Sequence, residues 1–279
     1  MASNSRSRPF VVLVTGCSQG GIGYELCCEF AKLGHIVYAT ARRLDAMRGL
    51  EGIHTLQLDV TDTATIKAAV EVVLAAEEHI DILVNNAGTF CVMPMLEQDL
   101  DAARREYDTN VWGPLAVAQA VAPSMMKRRA GTIVNVGSVA GLNAFPWAGV
   151  YASSKAALHT WTTSMRAELR PYNVNTVLVG VKSQISPNSR AHFEWKENSM
   201  FAPFKDVILR HFDVPPEATP TEEFCQYVVP RILQSPPPRE IYYGHQSTTA
   251  WMFSLLPAFI KDYVVGKIFV TASVTNGAQ

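Results

Sequence analysis

Charge is scarce in this chain and almost cancels. Only 18% of its 279 residues are charged and the formal net charge is −1. No basic stripe is present to follow a phosphate backbone, so no nucleic-acid partner is expected. Cysteine is sparse as well. Cys17, Cys27, Cys28, Cys91 and Cys225 are scattered and odd in number, with neither a disulfide ladder nor metal-ligand spacing. That usage predicts a reducing, intracellular, cytoplasmic setting and no metal. A clean membrane span is missing. Trp251 to Val270 is apolar but contains Pro257 and carries Lys261, Asp262 and Lys267, and charges near a helix centre are costly in a bilayer. Repeats, low-complexity blocks and interdomain linkers are absent too. Residues 1–8 are small, polar and basic, without the apolar centre of a signal peptide. They read as a disordered tail ahead of one domain spanning residues 9–279.

What is present is an alternation of strand and helix signals over the first two-thirds of the chain. It predicts an α/β fold with a parallel sheet and helices on both faces. Phe10 to Val14 is a short apolar run of the kind a buried parallel strand needs. It ends in Thr15-Gly16-Cys17-Ser18-Gln19-Gly20-Gly21-Ile22-Gly23, and a helical pattern follows from Ile22 to about Leu33. Strand, glycine-rich turn and helix form the context of a dinucleotide fingerprint. The glycines let backbone approach a pyrophosphate, and the helix start supplies N–H donors. The second strand, His35 to Thr40, is followed by Arg42 and Arg43, with no acidic residue before Asp45. An acid there would select the ribose 2′-hydroxyl of NAD. Arginine suits a phosphate, so Arg42, with Ser18 as a second contact, is assigned to the 2′-phosphate of NADP(H). Two roles stay open for Asp59, before Val60: a hydrogen bond from the adenine amino group, or a helix cap, for which Thr61 and Asp62 are better placed. Asn85-Asn86-Ala87-Gly88 ends the fourth strand as a turn that either packs on a ligand or simply closes the strand.

The second half carries the chemistry. Tyr151 and Lys155 are four residues apart, hence on one face of a helix. An ammonium beside a phenol favours its ionised form, which makes the tyrosine able to exchange a proton with an alcohol or ketone oxygen. Ser138 follows a strand from Gly131 to Val136, at the edge where open α/β sheets bind ligands. Asn110 falls within a long helix read from about Glu97 to Lys127. Asparagine is a poor mid-helix residue, and Gly113-Pro114 marks a local break beside it where a water could bind.

In order and spacing, Thr15-Gly16 with Gly20-Gly21-Ile22-Gly23, Asp59-Val60, Asn85-Asn86-Ala87-Gly88, Asn110, Ser138, and Tyr151 with Lys155 resemble the short-chain dehydrogenase/reductase family over roughly Phe10 to Ser183. The Gly-Cys-Ser turn, Tyr38 to Arg42 and the hydrophobic C-terminal segment resemble its NADP(H)-dependent branch of 17β-hydroxysteroid dehydrogenases and fungal acyl-dihydroxyacetone-phosphate reductases. The resemblance implies a single-domain Rossmann-type, doubly wound parallel sheet. It also implies catalysis by Asn110, Ser138, Tyr151 and Lys155. In this scheme Lys155 also binds the nicotinamide ribose and Asn110 holds a water leading to solvent. Cofactor contacts are implied at Gly16, Ser18, Gly21, Ile22, Gly23, Arg42, Asp59, Val60, Asn86, Ala87, Gly88, Tyr151, Lys155, Val181 and Ser183. Two departures stand out. The glycine turn is one residue longer than usual, and Leu178 to Ser183 lacks the usual Pro-Gly or Thr-Gly, which leaves the register of Gly180 open and Ser183 as a stand-in for threonine.

Residues 186–216 are read as the variable substrate segment. Their aromatics, with Phe145 to Trp147 opposite, predict a hydrophobic carbonyl or alcohol substrate: a steroid, fatty acyl ketone, polyketide or terpenoid intermediate, or an acyl-dihydroxyacetone phosphate. Residues 248–272 form a hydrophobic C-terminal segment with three readings open: a lid, a subunit contact, or an amphipathic anchor on an intracellular membrane or lipid droplet. Small residues at Ala116, Ala118, Ala120, Ala152, Ala156 and Ala157 predict a homodimer or homotetramer packed through the helices of Asn110 and Tyr151. Against the oxidoreductase stand a non-catalytic dinucleotide sensor and a redox-neutral isomerase or cyclase on the same fold.

Overall fold

The apolar run at the start of the chain forms β1 (Val11–Thr15) because both of its faces are covered. Val11 and Leu13 enter one core and Val12 and Val14 the other, as the two-residue period of a strand requires. The computed structural model describes residues 8–181, 195–212, 218–244 and 247–267. Along them follow α1 (Ile22–Lys32), β2 (Ile36–Ala41), β3 (His54–Gln57), α2 (Thr63–Glu77), β4 (Ile82–Asn85), α3 (Leu100–Tyr107), α4 (Gly113–Arg128), β5 (Gly131–Val136), α5 (Gly149–Leu169), β6 (Val174–Gly180), α6 (Lys205–Leu209), α7 (Thr221–Ile232), β7 (Glu240–Tyr242), α8 (Ser247–Ser254) and α9 (Ala258–Val265).

The strands form one seven-stranded parallel sheet in the order β3-β2-β1-β4-β5-β6-β7. Leu26 and Phe30 of α1 and Phe224 and Val228 of α7 bury one face. Ile66 and Val70 of α2 and Val117 and Val121 of α4 bury the other. This is the doubly wound Rossmann-type arrangement expected. Strand order reverses between β1 and β4, and in open α/β sheets the carboxyl ends of the strands at such a point are where ligands bind.

Several expectations are corrected. Arg8, assigned to a disordered tail, is bound: its guanidinium donates to both carboxylate oxygens of Asp81 at 3.0 Å. Residues 1–7 lie outside the described residues. Asp81 also accepts the Val11 N–H at 3.1 Å and one from Arg128 at 3.3 Å, so it ties β1 and α4 together at the amino edge of the sheet. The helix read from about Glu97 to Lys127 starts at Leu100 and keeps right-handed helical backbone to Arg128, and the interruption expected near Gly113-Pro114 takes the form of a π-helical turn inside it. Asp99 caps α3 by accepting the Ala102 N–H at 2.9 Å, a π-helical turn occupies Asp108–Trp112, and α4 begins at Gly113. Pro114 explains the break, since it has no N–H for the Asn110 carbonyl four residues back. The Gly113 N–H reaches to Asp108 instead, five residues back. Ala118 and Ala152 face the subunit's own core and are not available to a partner.

The register left open around Gly180 is settled by packing. Gly180 ends β6 opposite Tyr242, and a Cβ there would stand 2.1 Å from the Tyr242 ring. Up to residue 267 the C-terminal segment holds two short helices that meet at Pro257, residues 268–272 lie outside the described residues, and no described helix is long and apolar enough to cross a membrane.

Candidate active site

The turn after β1 is tight for a stated reason. Gly16 has φ +73°, and a Cβ on it would stand 2.7 Å from the Cα of Ala87. Only glycine meets both conditions. The Thr15 hydroxyl accepts the N–H groups of Asn86 and Ala87 at 3.0 and 3.1 Å. The Asn86 amide donates to the carbonyls of Thr15 and Gly16 at 2.9 and 3.0 Å. Asn86 therefore staples β4 to the glycine turn, and its two donors are spent on backbone. Cys17 is buried, with its Sγ 3.5 Å from that of Cys27, and packs in the core.

The features a dinucleotide needs are otherwise in place. The start of α1 has no side-chain cap at Gly21, so its first-turn N–H groups are left for an anion. Ser18 is exposed on the turn, while Ile22 and Gly23 open the helix and pack inward. Arg42 is exposed at the carboxyl end of β2. Its neighbour Arg43 leans on Asp45 at 3.8 Å, whereas among the described residues no acidic side chain pairs with Arg42. These residues fit a dinucleotide with a phosphate at the Arg42 end. One Asp59 oxygen is held by the N–H and hydroxyl of Thr61 at 2.9 and 2.8 Å, while the next helix is capped by Asp62. Val60 and Val181 are buried; Val60 packs under Gly113, and the Val181 carbonyl accepts the Val139 N–H. Ser183 lies outside the described residues.

Tyr151 and Lys155 come together as the spacing requires. Both sit on α5, each 5% exposed, beside the carboxyl end of β5. The Lys155 ammonium donates to the Val136 carbonyl at 2.9 Å and lies 5.9 Å from the centre of the Tyr151 ring. Burial lowers the Lys155 pKa to about 8, opposed by the charge of Glu106. Gly88 faces the same space: a Cβ on it would stand 3.2 Å from the Asn110 amide oxygen and 3.6 Å from the Lys155 nitrogen. Asn110 is fully buried in the π-helical turn, a feature common at functional sites. It accepts the Thr89 N–H at 2.7 Å and donates to the Thr89 carbonyl at 2.8 Å and the Ser154 hydroxyl at 3.1 Å.

Ser138 is buried just past β5, its hydroxyl accepting the Ala140 N–H at 3.2 Å. Its own N–H donates to His159 Nε2 at 3.3 Å. His159 went unremarked in the sequence, although it is one turn beyond Lys155. Burial, then the Lys155 charge, lower its pKa to about 4, so it is neutral and carries its proton on Nδ1. The loop wraps its ring so closely that a Cβ at Gly137 or Gly141 would come within 2.3 or 2.7 Å of it. Glu106 and Phe90 were missed too. Glu106 is 3% exposed, and burial drives its pKa up to about 8. The Phe90 ring meets Tyr151 edge-on at 4.6 Å. The spacing of Glu106 ahead of Asn110 and of His159 behind Lys155, four residues each, is the sequence signal that places them on those helix faces.

An aromatic cluster lies beside Tyr151: Phe90, Trp147, Trp195, Phe201, Phe204 and Phe212, around Val92 and Ile208. Trp147 has φ +70°, a left-handed conformation that costs a bulky residue energy and concentrates at functional sites. Its ring meets Phe201 edge-on and Phe204 at a tilt, 5.6 Å from each. Of the segment read as the substrate loop, residues 186–194 and 213–216 lie outside the described residues. The cations within the described part are engaged: Lys196 donates to the Glu97 carbonyl at 2.7 Å, Lys205 covers the Trp195 ring at 5.5 Å, and Arg210 donates to the Asp206 carbonyl at 3.4 Å. Helix α8 lies against the loop that follows β5, since the Asn143 amide donates to the Ala250 carbonyl at 2.7 Å. Trp251, Met252, Leu255, Phe259 and Tyr263 remain exposed on it.

The family model described as short chain dehydrogenase matches residues 10–194. The chain belongs to that family. Short-chain dehydrogenase cctT of Talaromyces islandicus is 35% identical over 269 residues, covering 92% of this chain and 94% of the relative. The NADPH-dependent 1-acyldihydroxyacetone phosphate reductase of Schizosaccharomyces pombe is 31% identical, covering 88% of this chain and 89% of its own. Among solved structures, a short chain dehydrogenase from Burkholderia cenocepacia in complex with NADP superimposes with a TM-score of 0.73 at 25% identity, over 92% of this chain and 98% of that one. As a family member the chain carries its glycine turn, serine, tyrosine and lysine at the carboxyl edge of one continuous sheet.

Proposed function

We propose that this short-chain dehydrogenase is an NADP(H)-dependent oxidoreductase that interconverts a ketone and a secondary alcohol on a hydrophobic substrate. The observation that carries the reading is the buried Tyr151–Lys155 pair, one helical turn apart beside Ser138. The uncapped start of α1 and the Arg42 side chain support NADP(H), as do the NADPH-dependent fission-yeast relative and the NADP-bound Burkholderia structure. When bound, the nicotinamide supplies or accepts the hydride. The protein does the rest. The hydroxyls of Ser138 and Tyr151 hold the carbonyl oxygen and stabilise the negative charge that develops on it. Tyr151 gives that oxygen its proton in reduction and takes it back in oxidation. Lys155 holds positive charge beside the phenol. Asn110, clamped on Thr89 and Ser154, fixes the π-helical turn and its carbonyl next to the break at Pro114, where a water would connect the pair to solvent. His159 fixes the Ser138 backbone.

The aromatic cluster supports a lipophilic substrate. Lys196, Lys205 and Arg210 contact only uncharged groups and keep their charge, so an acyl phosphate ester stands beside an uncharged ketone as the alternative substrate. The family's tendency to assemble extends here to a homodimer through α4 and α5, next to which Trp112 of the π-helical turn is half exposed with its ring 5.3 Å from that of Trp161 on α5. The test of function is NADPH absorbance across a panel of steroid, polycyclic and long-chain ketones. Turnover by the wild type that Tyr151→Phe abolishes is the expected result. Binding of NADPH without turnover of any ketone would favour a sensor, and conversion of a substrate without cofactor consumption a redox-neutral enzyme.

A further inference from the structure

Glu106 is a carboxylic acid where packing alone would favour a hydrocarbon. It is 3% exposed near the end of α3, and its Oε2 has no hydrogen-bond partner among the described residues. Burying a polar oxygen without a partner costs free energy that an apolar side chain of similar volume avoids. Its other oxygen, Oε1, accepts the Cys91 N–H at 3.3 Å. Four residues on, Asn110 holds Thr89 by both its N–H and its carbonyl, at 2.7 and 2.8 Å. The two side chains therefore grip the backbone on either side of Phe90, whose ring meets Tyr151 edge-on at 4.6 Å.

We propose that Glu106 is a positioning residue for the catalytic pair: it clamps the Thr89–Cys91 segment that seats Phe90 on Tyr151, and in its ionised form, above neutrality, it supplies the counter-charge of Lys155. This rests on the oxidoreductase reading above. The ionisable groups facing Glu106 are Lys155 on α5 and the Cys91 thiol on the loop it clamps; His159 faces Lys155 from the next turn of α5 and is neutral. Burial raises Glu106 to about 8 and lowers Lys155 to about 8. The carboxyl is thus mostly protonated near neutrality and ionises over the range in which Lys155 would lose its proton. An ionised Glu106 then favours the protonated ammonium and extends its charged state to higher pH.

Two variants separate clamp from charge. Glu106→Gln keeps an oxygen for the Cys91 N–H and loses the ionisable group; Glu106→Ala loses both. With phenanthrenequinone as the carbonyl probe, Glu106→Ala should lower kcat/KM by roughly tenfold to a hundredfold, the scale of a small misplacement at a reacting centre. NADPH binding, read by fluorescence titration, should not move. Glu106→Gln should recover much of that loss at neutral pH, and its rate should fall off at lower pH than in the wild type. Lys155 can be followed without turnover by NMR of carbon-labelled lysine, assigned with Lys155→Met. Its titration should move to lower pH in Glu106→Gln. A wild-type kcat/KM in Glu106→Ala, or an unmoved Lys155 titration in Glu106→Gln, overturns the proposal. Should Glu106→Ala fail to fold, the titration in Glu106→Gln decides it. Should the wild type leave NADPH unoxidised with the probe and with every ketone of the panel above, the oxidoreductase reading is what fails, and the titration still tests the Glu106–Lys155 pairing.

Discussion

Lowering the pH from 8 to 5 should cost this fold about 2 kcal/mol through His159 alone. The ring is 9% exposed, and burial with the Lys155 charge lowers its pKa from 6.5 to about 4. A histidine whose folded-state pKa lies below its unfolded value takes up its proton first in the unfolded chain. Stability is therefore lost as pH falls through 6.5, and the loss saturates near 4 at about 3 kcal/mol, taking roughly 1.4 kcal/mol per unit. At pH 5 the unfolded chain has gained about 1.5 units of that difference, hence the ~2 kcal/mol. Other groups titrate in this range too. Glu106, raised to about 8, contributes with the opposite sign, because its folded form holds the proton more tightly. The test is therefore a difference. Urea unfolding of the wild type and of His159→Gln is measured at both pH values. The wild type should lose about 2 kcal/mol more than the variant between them. Equal losses would refute the assignment of a buried neutral imidazole. Activity provides a second readout. Protonation turns His159 Nε2 from acceptor to donor, facing the Ser138 N–H, so turnover should collapse on the acid side before the protein unfolds.

The remaining predictions concern cofactor, chemistry, scaffold and assembly. Arg42→Ala should weaken NADPH binding by about 1.5–3 kcal/mol, the scale of a charged hydrogen bond, and leave NADH binding nearly unchanged in calorimetry; equal losses would remove the phosphate role. Tyr151→Phe should lower ketone reduction by roughly 10²–10⁴-fold while retaining the fold and NADPH affinity, read by circular dichroism and fluorescence. Asp81→Asn should destabilise the fold by about 1–3 kcal/mol, because Arg8 and Arg128 lose their shared carboxylate but both stay in reach of solvent. Burial pushes the Asp81 pKa up, but hydrogen bonds from Arg8 and the Val11 N–H and the charges of Arg8 and His79 outweigh it and hold it low. Its contribution is thus present above the ordinary aspartate range and lost as pH falls through the depressed value, which acid unfolding of the variant should show by a flatter profile. Trp112→Glu should shift a dimer toward monomer in light scattering, and a monomeric wild type would refute the α4–α5 contact.

Local sequence determined a large share of this protein. An unbroken apolar run ending in glycines forces a buried strand and a tight turn, because backbone must bend where a Cβ does not fit. Tyr151 and Lys155 were legible for the same kind of reason, since residues four apart share a helix face wherever the helix goes. The break beside Asn110 was half legible: Pro114 announces the missing N–H, but its form as a π-helical turn needed the packed helix. What only the tertiary structure decided depends on partners far away in the chain. Asn86 looks like a ligand-facing amide until its donors are seen on Thr15 and Gly16, 71 and 70 residues away. Arg8 looks like a free tail until Asp81 arrives 73 residues later. Ala118 and Ala152 look like an interface stripe, yet periodicity names a helix face without saying what covers it, and the core covers these. Glu106 and His159 read as ordinary polar residues of amphipathic helices. Their altered pKa values come from burial beside Lys155, and burial exists only once α3, α5 and the loops after β4 and β5 have closed around one ammonium.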